Sequence, residues 1–332
     1  MTSPLADEIL RRLLEAEGEA LSGQSLAGRL GVTRAAIWKG VETLRAQGYP
    51  IQSQPARGYR LGPGPRGLRP GEIAATLHTL TLGHPVRHLA RVDSTNREVE
   101  RWALEGAPEG ALVVAEIQEA GRGRLGRAWQ GLPGRSLLAS LLLRPPVPPA
   151  EAPLLTYAAA LALAEALSYW VKPESIEIKW PNDVLLGGGK VAGILLEMRS
   201  EAQVVEHVIL GVGVNVEGRA EDLPEELRDR ATTVAAWATL KVDRLGVLCR
   251  FLEVFEGAYR AFLAGGFEAL RPRWNVWFRM TGRTVRVQTP AGVQEGIALG
   301  LGPGGALLLG ASDGAVVPIY AGDLDTATTR PP

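Results

Sequence analysis

The sequence predicts an α+β protein built from an N-terminal winged helix-turn-helix, a central domain on a mixed or antiparallel sheet, and a small C-terminal β-barrel. Three observations carry this prediction. Helical periodicity followed by two short strand-like runs fills residues 5–61, and a stretch rich in Gly and Pro comes next. Beyond it, several strand-like runs follow one another without helices between them, which favours antiparallel pairing over a doubly wound parallel sheet.

The composition limits the class of protein. The formal net charge is zero, so any contact with nucleic acid must come from a local basic patch. The single cysteine, Cys249, excludes an internal disulfide framework and predicts a reducing, cytoplasmic setting. The four histidines show no metal-ligand spacing, so we expect no structural metal site. Glu165 interrupts the longest apolar stretch, which predicts a buried helix and no membrane partner.

Residues 1–62 predict a winged-helix domain. A first helix carries Leu5, Ile9 and Leu13 on one stripe, and a short second helix spans about Gly23 to Leu30. Thr33 is a good N-cap for a third helix, whose apolar positions are Ile37, Val41 and Leu44. Two short strands, at residues 48–51 and 58–61, complete the wing.

A local excess of basic residues in this domain predicts DNA binding. Six basic residues and a single acidic one, Glu42, lie between Ser25 and Arg60. Polar and aromatic positions off the apolar stripe of the third helix face outwards, and the wing loop adds one more arginine. The predicted DNA-contacting residues are Thr33, Arg34, Trp38, Lys39 and Arg57. A winged helix that serves only protein contacts is the alternative.

The Gly/Pro-rich stretch predicts a linker over residues 63–71, between a central domain at 72–277 and a C-terminal domain at 278–332. Helices are expected at 96–105, 151–171 and 244–264, and strands of the central sheet at 112–117, 136–144, 175–179, 191–199 and 204–216. After residue 281, short strands alternate with Gly-containing turns, which is typical of a small barrel.

The segment Gly121–Gly126 is the most informative loop of the central domain. It matches the G-x-G-x-x-G string, but no helix follows it and no acidic residue closes a second strand. Its glycines let backbone amides approach a ligand, and Arg122 and Arg124 offer paired donors to carboxylate or phosphate oxygens. The pattern favours binding of an anionic acyl-phosphate species, with a flexible solvated turn as the alternative.

Four further segments carry groups capable of chemistry. Lys179–Asp183 places a lysine, an amide and a carboxylate at the end of a strand. The run that ends in Lys190 lacks the spacing of a Walker loop, yet its lysine can meet an anion at a hairpin. Asp93–Asn96 presents hydroxyl and amide groups at a strand-to-helix junction, or else a simple helix cap. Gly211–Asn215 is a glycine-bearing strand that ends in an amide.

Taken together and in their order along the chain, the five segments resemble the signature runs of the bifunctional biotin–protein ligases that also repress the biotin operon. Thr33–Lys39 resembles the recognition helix of that family, and the likeness extends to the C-terminal domain, for which it implies an SH3-like barrel. The sequence departs from the family just after Asn215. It also has Asp323 where family members often place glutamate.

The resemblance implies an ATP-dependent ligase. Biotin's carboxylate would attack the α-phosphorus of Mg²⁺-bound ATP to give biotinyl-5′-adenylate, and a carrier lysine would then take the biotinyl group. The implied partners are the biotin carboxyl carrier protein domain of acetyl-CoA carboxylase, operator DNA, and a second copy in a ligand-promoted homodimer.

The resemblance also implies roles for individual residues. The biotin pocket would use Ser94, Thr95, Asn96 and Gln118 around the ureido group, with Lys190 and Gly193 beside the valerate. Trp129 and Asn215 would hold the adenine, and Gly121, Gly123 and Asn182 would complete the ligand-binding loops. Catalysis would rest on Arg122, Arg124, Lys179 and Asp183, the last of which would orient or deprotonate the incoming lysine.

Three other functions stay open at this point. A lipoate or octanoate ligase of the same fold would use similar loops. A ligand-sensing transcription factor would keep the pocket without catalysing a reaction, and a ligase whose winged helix has lost its DNA site would keep only the enzyme.

Overall fold

The computed structural model describes residues 4–16, 18–62, 67–311 and 313–325. The chain divides into two compact units, Met1–His78 and Thr79–Pro332. Residues 63–66 of the expected linker and residues 326–332 of the expected C-terminal domain lie outside the described residues.

The first unit has the helix order and hairpin expected of a winged helix. Its elements are α1 (Pro4–Glu15), α2 (Gly23–Leu30), α3 (Arg34–Ala46), β1 (Ile51–Gln54) and β2 (Gly58–Leu61), with β1 and β2 antiparallel. The Oγ1 atom of Thr33 accepts the N–H of Ala36 at 3.2 Å, so this threonine caps α3 as predicted. A Cβ atom on Gly40 would lie 2.5 Å from Ile9 Cδ1, which shows how closely α1 and α3 approach.

A fourth helix replaces part of the expected linker. α4 spans Pro70–Thr76, and Leu68 and Ile73 are fully buried. Proline suits the first position of a helix because its fixed φ is already helical and its missing N–H needs no partner. Gly71 packs against α1, since a Cβ atom there would lie 3.0 Å from Leu10 Cδ2. Helix α4 therefore includes the last two residues, 70 and 71, of the predicted linker.

The second unit is built on a seven-stranded mixed sheet in the order β3-β4-β5-β9-β8-β7-β6. β3 and β4 are parallel and the other neighbours are antiparallel, which confirms the predicted mixed sheet. The strands are β3 (Val86–Leu89), β4 (Leu112–Ala115), β5 (Ser136–Leu143), β6 (Ile176–Lys179), β7 (Asp183–Leu186), β8 (Gly189–Glu201) and β9 (Val204–Asn215).

Helices cover this sheet. They are α5 (Thr95–Leu104), α6 (Leu155–Leu167), α7 (Arg244–Gly265) and α8 (Arg271–Trp277). α6 packs against strands β6, β7 and β8 on one side and against α7 on the other, so it is apolar almost all round. Among the described residues, no helix is both long enough and apolar enough to cross a membrane.

The expected C-terminal barrel is, by its hydrogen bonds, a five-stranded antiparallel sheet in the order β13-β12-β11-β10-β14. Its strands are β10 (Thr284–Thr289), β11 (Gly292–Leu301), β12 (Leu307–Gly310), β13 (Val316–Ile319) and β14 (Asp323–Asp325). The short turn Pro303–Gly305 connects β11 to β12. Sequence reasoning missed β14, a strand of three residues that pairs with β10.

Candidate functional site

A cavity of about 540 Å³ in the second unit brings together groups from all five polar segments. Every residue predicted for the site lines it except Gly121, which is buried close to Trp129 and Gln118. The predicted residues on its wall are Ser94, Thr95, Asn96, Gln118, Arg122, Gly123, Arg124, Trp129, Lys179, Asn182, Asp183, Lys190, Gly193 and Asn215.

Glycines on two strands leave room at the base of the cavity for the side chains of Asn96 and Trp129. Gly211 and Gly213 alternate with apolar residues along β9 and so face the same side of the sheet. A Cβ atom at Gly211 would lie 2.3 Å from Asn96 Oδ1, and one at Gly213 would lie 2.4 Å from the Trp129 ring. Gly193 pairs with Gly213 across the strands and also borders the Trp129 ring.

A polar network forms one end of the cavity, where α5 begins. Gln118 Oε1 accepts the N–H of Thr95 at 2.8 Å and its hydroxyl at 2.9 Å. Ser140 Oγ lies 2.7 Å from Thr95 Oγ1 and 2.6 Å from Asn96 Oδ1. Ser94 stands at the N-cap position of α5, but its side chain makes no capping bond. Its hydroxyl therefore does not serve as a simple cap.

Asp93, at the same junction, holds the chain in place and does not line the cavity. The Arg101 guanidinium donates to both of its carboxylate oxygens and lowers the pKa of Asp93 to about 2, against the opposing effect of burial. Asp93 Oδ1 also accepts the N–H of Ser94 at 2.7 Å. The carboxylate thus fixes the residue that precedes the polar network.

The Gly/Arg loop is tied to three other elements by its arginines. Arg122 donates to Glu197 Oε2 on β8 at 3.1 Å. Arg124 donates to Asn182 Oδ1 at 3.0 Å, in the turn between β6 and β7. Arg127 forms an ion pair with Asp323 on β14. The loop therefore makes specific contacts beside the cavity, which disfavours the alternative of a free solvated turn.

Two lysines lie on the wall in different electrostatic settings. Lys179 ends β6, and among the described residues no carboxylate approaches its Nζ within ion-pair distance. Lys190 Nζ lies 2.8 Å from Asp183 Oδ1 as an ion pair, although the contact lacks the alignment of a hydrogen bond. Together with the loop arginines, these lysines make the cavity suited to anionic ligands, since they can neutralise the repulsion between two of them.

Trp129 presents an unused donor at the cavity. Its Nε1 atom is buried and has no hydrogen-bond partner among the described residues. A buried polar group without a partner is uncommon, and here it lies in a cavity wall where a ligand can supply an acceptor. Asn215, by contrast, already donates to Thr232 O at 3.2 Å and accepts from Ser136 at 3.4 Å.

Sequence reasoning missed several residues of the site. Ser140 looks like one polar residue in an apolar strand, and its contact with α5 arises only on folding. Glu197 binds both Asn96, at 2.7 Å, and Arg122, and no motif marks it. The loop at 227–231 joins the wall because the N–H of Lys190 donates to Arg230 O at 2.8 Å.

The described residues contain no group of three or more His, Cys, Asp and Glu side chains placed to hold a metal ion. Two carboxylates on the cavity wall are already in ion pairs. Asp183 pairs with Lys190, and Asp323 pairs with Arg127.

In the first unit, the residues predicted to contact DNA are all exposed on α3 and the wing. Trp38 is 58% exposed, so its ring is accessible to a partner. Arg34, Lys39 and Arg57 are exposed and have no carboxylate partner among the described residues. Arg45 differs, because it pairs with Glu42 at 2.7 Å. The exposed cations therefore remain available for phosphates.

Comparisons with known proteins agree over nearly the whole chain. Residues 88–215 match the Biotin/lipoate A/B protein ligase family, residues 6–60 the HTH domain family, and residues 281–325 the Biotin protein ligase C terminal domain family.

The bifunctional ligase/repressor BirA of Bacillus spizizenii is 37% identical over 98% of this chain and 99% of its own. BirA of Salmonella typhimurium is 31% identical over 94% of each chain. Among solved structures, the biotin protein ligase from Aquifex aeolicus in complex with biotin and ATP superposes with a TM-score of 0.62 at 29% identity. It covers 73% of this chain and 98% of that one.

Proposed function

Because the chain belongs to the family of bifunctional biotin ligase/repressors, we propose that it activates biotin with ATP and transfers the biotinyl group to a protein lysine. The acceptor is the biotin carboxyl carrier protein domain of acetyl-CoA carboxylase. The observation that carries this proposal is the convergence of cationic side chains on one cavity that also has a polar end formed by neutral hydroxyl and amide groups. These cations are Arg122, Arg124, Arg127, Lys179, Lys190 and Arg230.

Two steps complete the reaction. A carboxylate oxygen of biotin attacks the α-phosphorus of ATP, the bond from that phosphorus to the bridging oxygen breaks, and pyrophosphate leaves. The carrier's amine then attacks the carbonyl carbon of the adenylate, AMP leaves with the carboxyl oxygen, and the amine gives up a proton. The first step brings two anions together, so Lys179, Arg122 and Arg124 act by neutralising the repulsion and the developing charge.

The polar end of the cavity suits the ureido group of biotin. Ser94, Thr95, Asn96 and Gln118 offer hydroxyl and amide groups that can donate to its carbonyl and accept from its N–H groups. Lys190 and Gly193 then border the valerate chain.

At the other end of the cavity, the Trp129 ring packs on the adenine and Asn215 hydrogen-bonds it. Asp183 orients or deprotonates the incoming amine. This role is supported by its place on the cavity wall, where Lys190 holds it at 2.8 Å.

Mg²⁺ enters with the phosphates of ATP as part of that substrate. We also place the reaction in the cytoplasm, in keeping with a chain that has one cysteine. The family that matches residues 88–215 includes lipoate ligases as well, but the relatives from Paracoccus denitrificans and Mycobacterium tuberculosis are named as ligases of biotin.

Pyrophosphate release from Mg-ATP tests the proposal directly. Biotin, lipoate and no acid are compared, and the bound product is identified by mass spectrometry. Release with biotin alone, leaving biotinyl-5′-adenylate on the protein, is the expected result. Release with lipoate alone would assign the chain to the lipoate enzymes, and no release with either acid would leave a ligand-sensing transcription factor.

Replacing Arg124 with glycine should let the adenylate escape without abolishing its synthesis. Arg124 anchors the Gly/Arg loop to Asn182 at 3.0 Å, so its loss should loosen the loop over the product. Free biotinyl-adenylate, measured in the filtrate after ultrafiltration, should rise severalfold over the wild type. Arg135→Gly is the control, because Arg135 pairs with Asp222 outside the cavity. Lys179 and Arg122 remain to neutralise charge in the first step, so a variant that makes no adenylate at all would show that Arg124 is indispensable to that step and would refute its role in retaining the product.

We further propose that the winged helix binds operator DNA of biotin genes. The variants Arg34→Ala and Lys39→Ala should each weaken DNA binding, since each removes one phosphate contact. The plot of the logarithm of the association constant against the logarithm of the salt concentration should become less steep by about 1 in each variant. Titrations at several salt concentrations measure this slope. Arg11→Ala serves as control because Arg11 pairs with Glu8 on α1. Unchanged slopes in both variants would show that neither side chain contacts a phosphate, and a wild type that binds no DNA would favour a winged helix that binds only proteins.

The repressor role also includes a homodimer that the adenylate promotes. Ordering of residues 122–129 on the ligand would link occupancy to dimerisation and DNA binding. Sedimentation with and without biotinyl-adenylate should show a shift towards dimer, and equal dimerisation in both samples would refute the linkage.

A further inference from the structure

A buried hydrogen-bond network connects the Lys179–Asp183 turn to the C-terminal sheet. Trp180, inside this turn, is 1% exposed. Its Nε1–H donates to Tyr157 Oη at 3.0 Å and to the carbonyl oxygen of Gly305 at 3.2 Å. The Tyr157 hydroxyl donates to the same carbonyl at 3.0 Å. Three parts of the chain meet here, namely the β6–β7 turn, α6 and the turn Pro303–Gly305.

The contact between Gly305 and Tyr157 leaves no room for a larger residue. Gly305 has a φ of +73°, in the left-handed region, and a Cβ atom there would lie 2.4 Å from Tyr157 Cε2. Tyr157 is 5% exposed, and burial raises its pKa to about 12. Its hydroxyl therefore stays a neutral donor over the working pH range of an enzyme.

Two residues close to Trp180 in sequence line the cavity. Lys179 precedes it, and Asn182 follows two residues later. Asn182 Oδ1 accepts from Arg124, while its Nδ2 donates to Ile194 O at 2.9 Å. Any shift of the Trp180 indole would therefore move a cavity lysine and the anchor of the Gly/Arg loop together.

We propose that Tyr157 and Gly305 are positioning residues of the ligase, through which the C-terminal sheet sets the placement of Lys179 and Asn182. The proposal rests on the proposed function and adds residues outside the cavity wall to it. Neither residue lines the cavity, and both are joined to it by their hydrogen bonds with Trp180. Since reacting groups tolerate little displacement, a small shift should appear mainly in kcat.

The Tyr157→Phe variant of the full chain tests this. The expected result is a fall in kcat for biotin-dependent pyrophosphate release of about tenfold, with KM for biotin changed by less than about twofold. Biotin affinity should hold because the polar network around Thr95 and Gln118 does not include Tyr157. Tyr259→Phe is the matched control, since Tyr259 is also 5% exposed and loses a hydrogen bond to Glu109 of 2.7 Å away from the cavity.

Gly305→Ala tests the C-terminal side of the network in the same assay. It should reproduce the fall in kcat, because the added methyl group collides with the Tyr157 ring. Gly304→Ala is its control. Gly304 has a similar positive φ of +62°, but a Cβ atom there would meet nothing nearer than 4.0 Å.

Four outcomes decide the question. A kcat loss in Tyr157→Phe and Gly305→Ala, absent from both controls at comparable Tm, supports the proposal. Equal kcat losses in variants and controls would show that the network only stabilises the fold, and would overturn the positioning role. Full activity in Tyr157→Phe, with an active wild type, would overturn the positioning role and leave the ligase function intact. A wild type that releases no pyrophosphate with biotin would overturn both.

Discussion

Replacing Lys179 with alanine should lower kcat for biotin-dependent pyrophosphate release by about 10²–10³-fold, the loss typical when one preorganised charge-stabilising group is removed. Lys179 lies on the cavity wall and, among the described residues, no carboxylate pairs with it. Its charge is therefore free to act on the phosphoryl group. Lys190, in contrast, is already paired with Asp183. Initial rates with saturating biotin and Mg-ATP measure the effect.

Two exposed lysines away from the cavity, Lys172 and Lys241, provide matched controls for this variant. Alanine at either should leave kcat unchanged. If Lys179→Ala kept more than about half of the wild-type rate, the loop arginines would have to provide the neutralisation, and Arg122→Ala would become the decisive variant.

Replacing either of two glycines of β9 with alanine should weaken the binding of one substrate and leave that of the other unchanged. A methyl group at Gly211 would press on Asn96 Oδ1, and one at Gly213 on the Trp129 ring. Overpacking of this kind costs about 1–3 kcal/mol, which corresponds to about 5–150-fold in affinity. We expect Gly211→Ala to raise KM for biotin and Gly213→Ala to raise KM for ATP by amounts in this range. Steady-state kinetics with each substrate varied in turn measure both constants.

Each of these two variants serves as a control for the other, because both glycines lie on β9 and face the same side of the sheet. Gly257→Ala in α7, where a Cβ atom meets nothing within 4 Å, should change neither constant. The assignment of the two ends of the cavity would be wrong if both variants raised the same KM.

The sequence predicted those elements whose signals are local. Thr33 and the stripe of α3 marked a helix start that the structure reproduces, and the β-branched run of β9 marked a strand. Strand β7 was not predicted, because its first residue, Asp183, belongs to the segment expected to end the preceding strand. Helix α4 was not predicted because glycine and proline are frequent around its first residues. Buried apolar contacts of Leu68 and Ile73 nevertheless stabilise it.

The candidate site divides in the same way. Groups within the five segments were identifiable because glycines, arginines and lysines there are dense and oddly spaced. Glu197 was not, since it meets Asn96 and Arg122 only when β8 lies beside α5 and the Gly/Arg loop. The roles assigned to individual residues stay predictions until the variants above are measured.

The packing of α4 changes where the winged helix can be cut from the rest of the chain. A fragment that ended with the wing at residue 62 would lose Leu68 and Ile73, both fully buried, and would bare Leu10 on α1. A fragment that continues through Thr76 keeps this apolar contact. Proteolysis, gene fusion and domain exchange should therefore be tolerated after α4 and penalised before it.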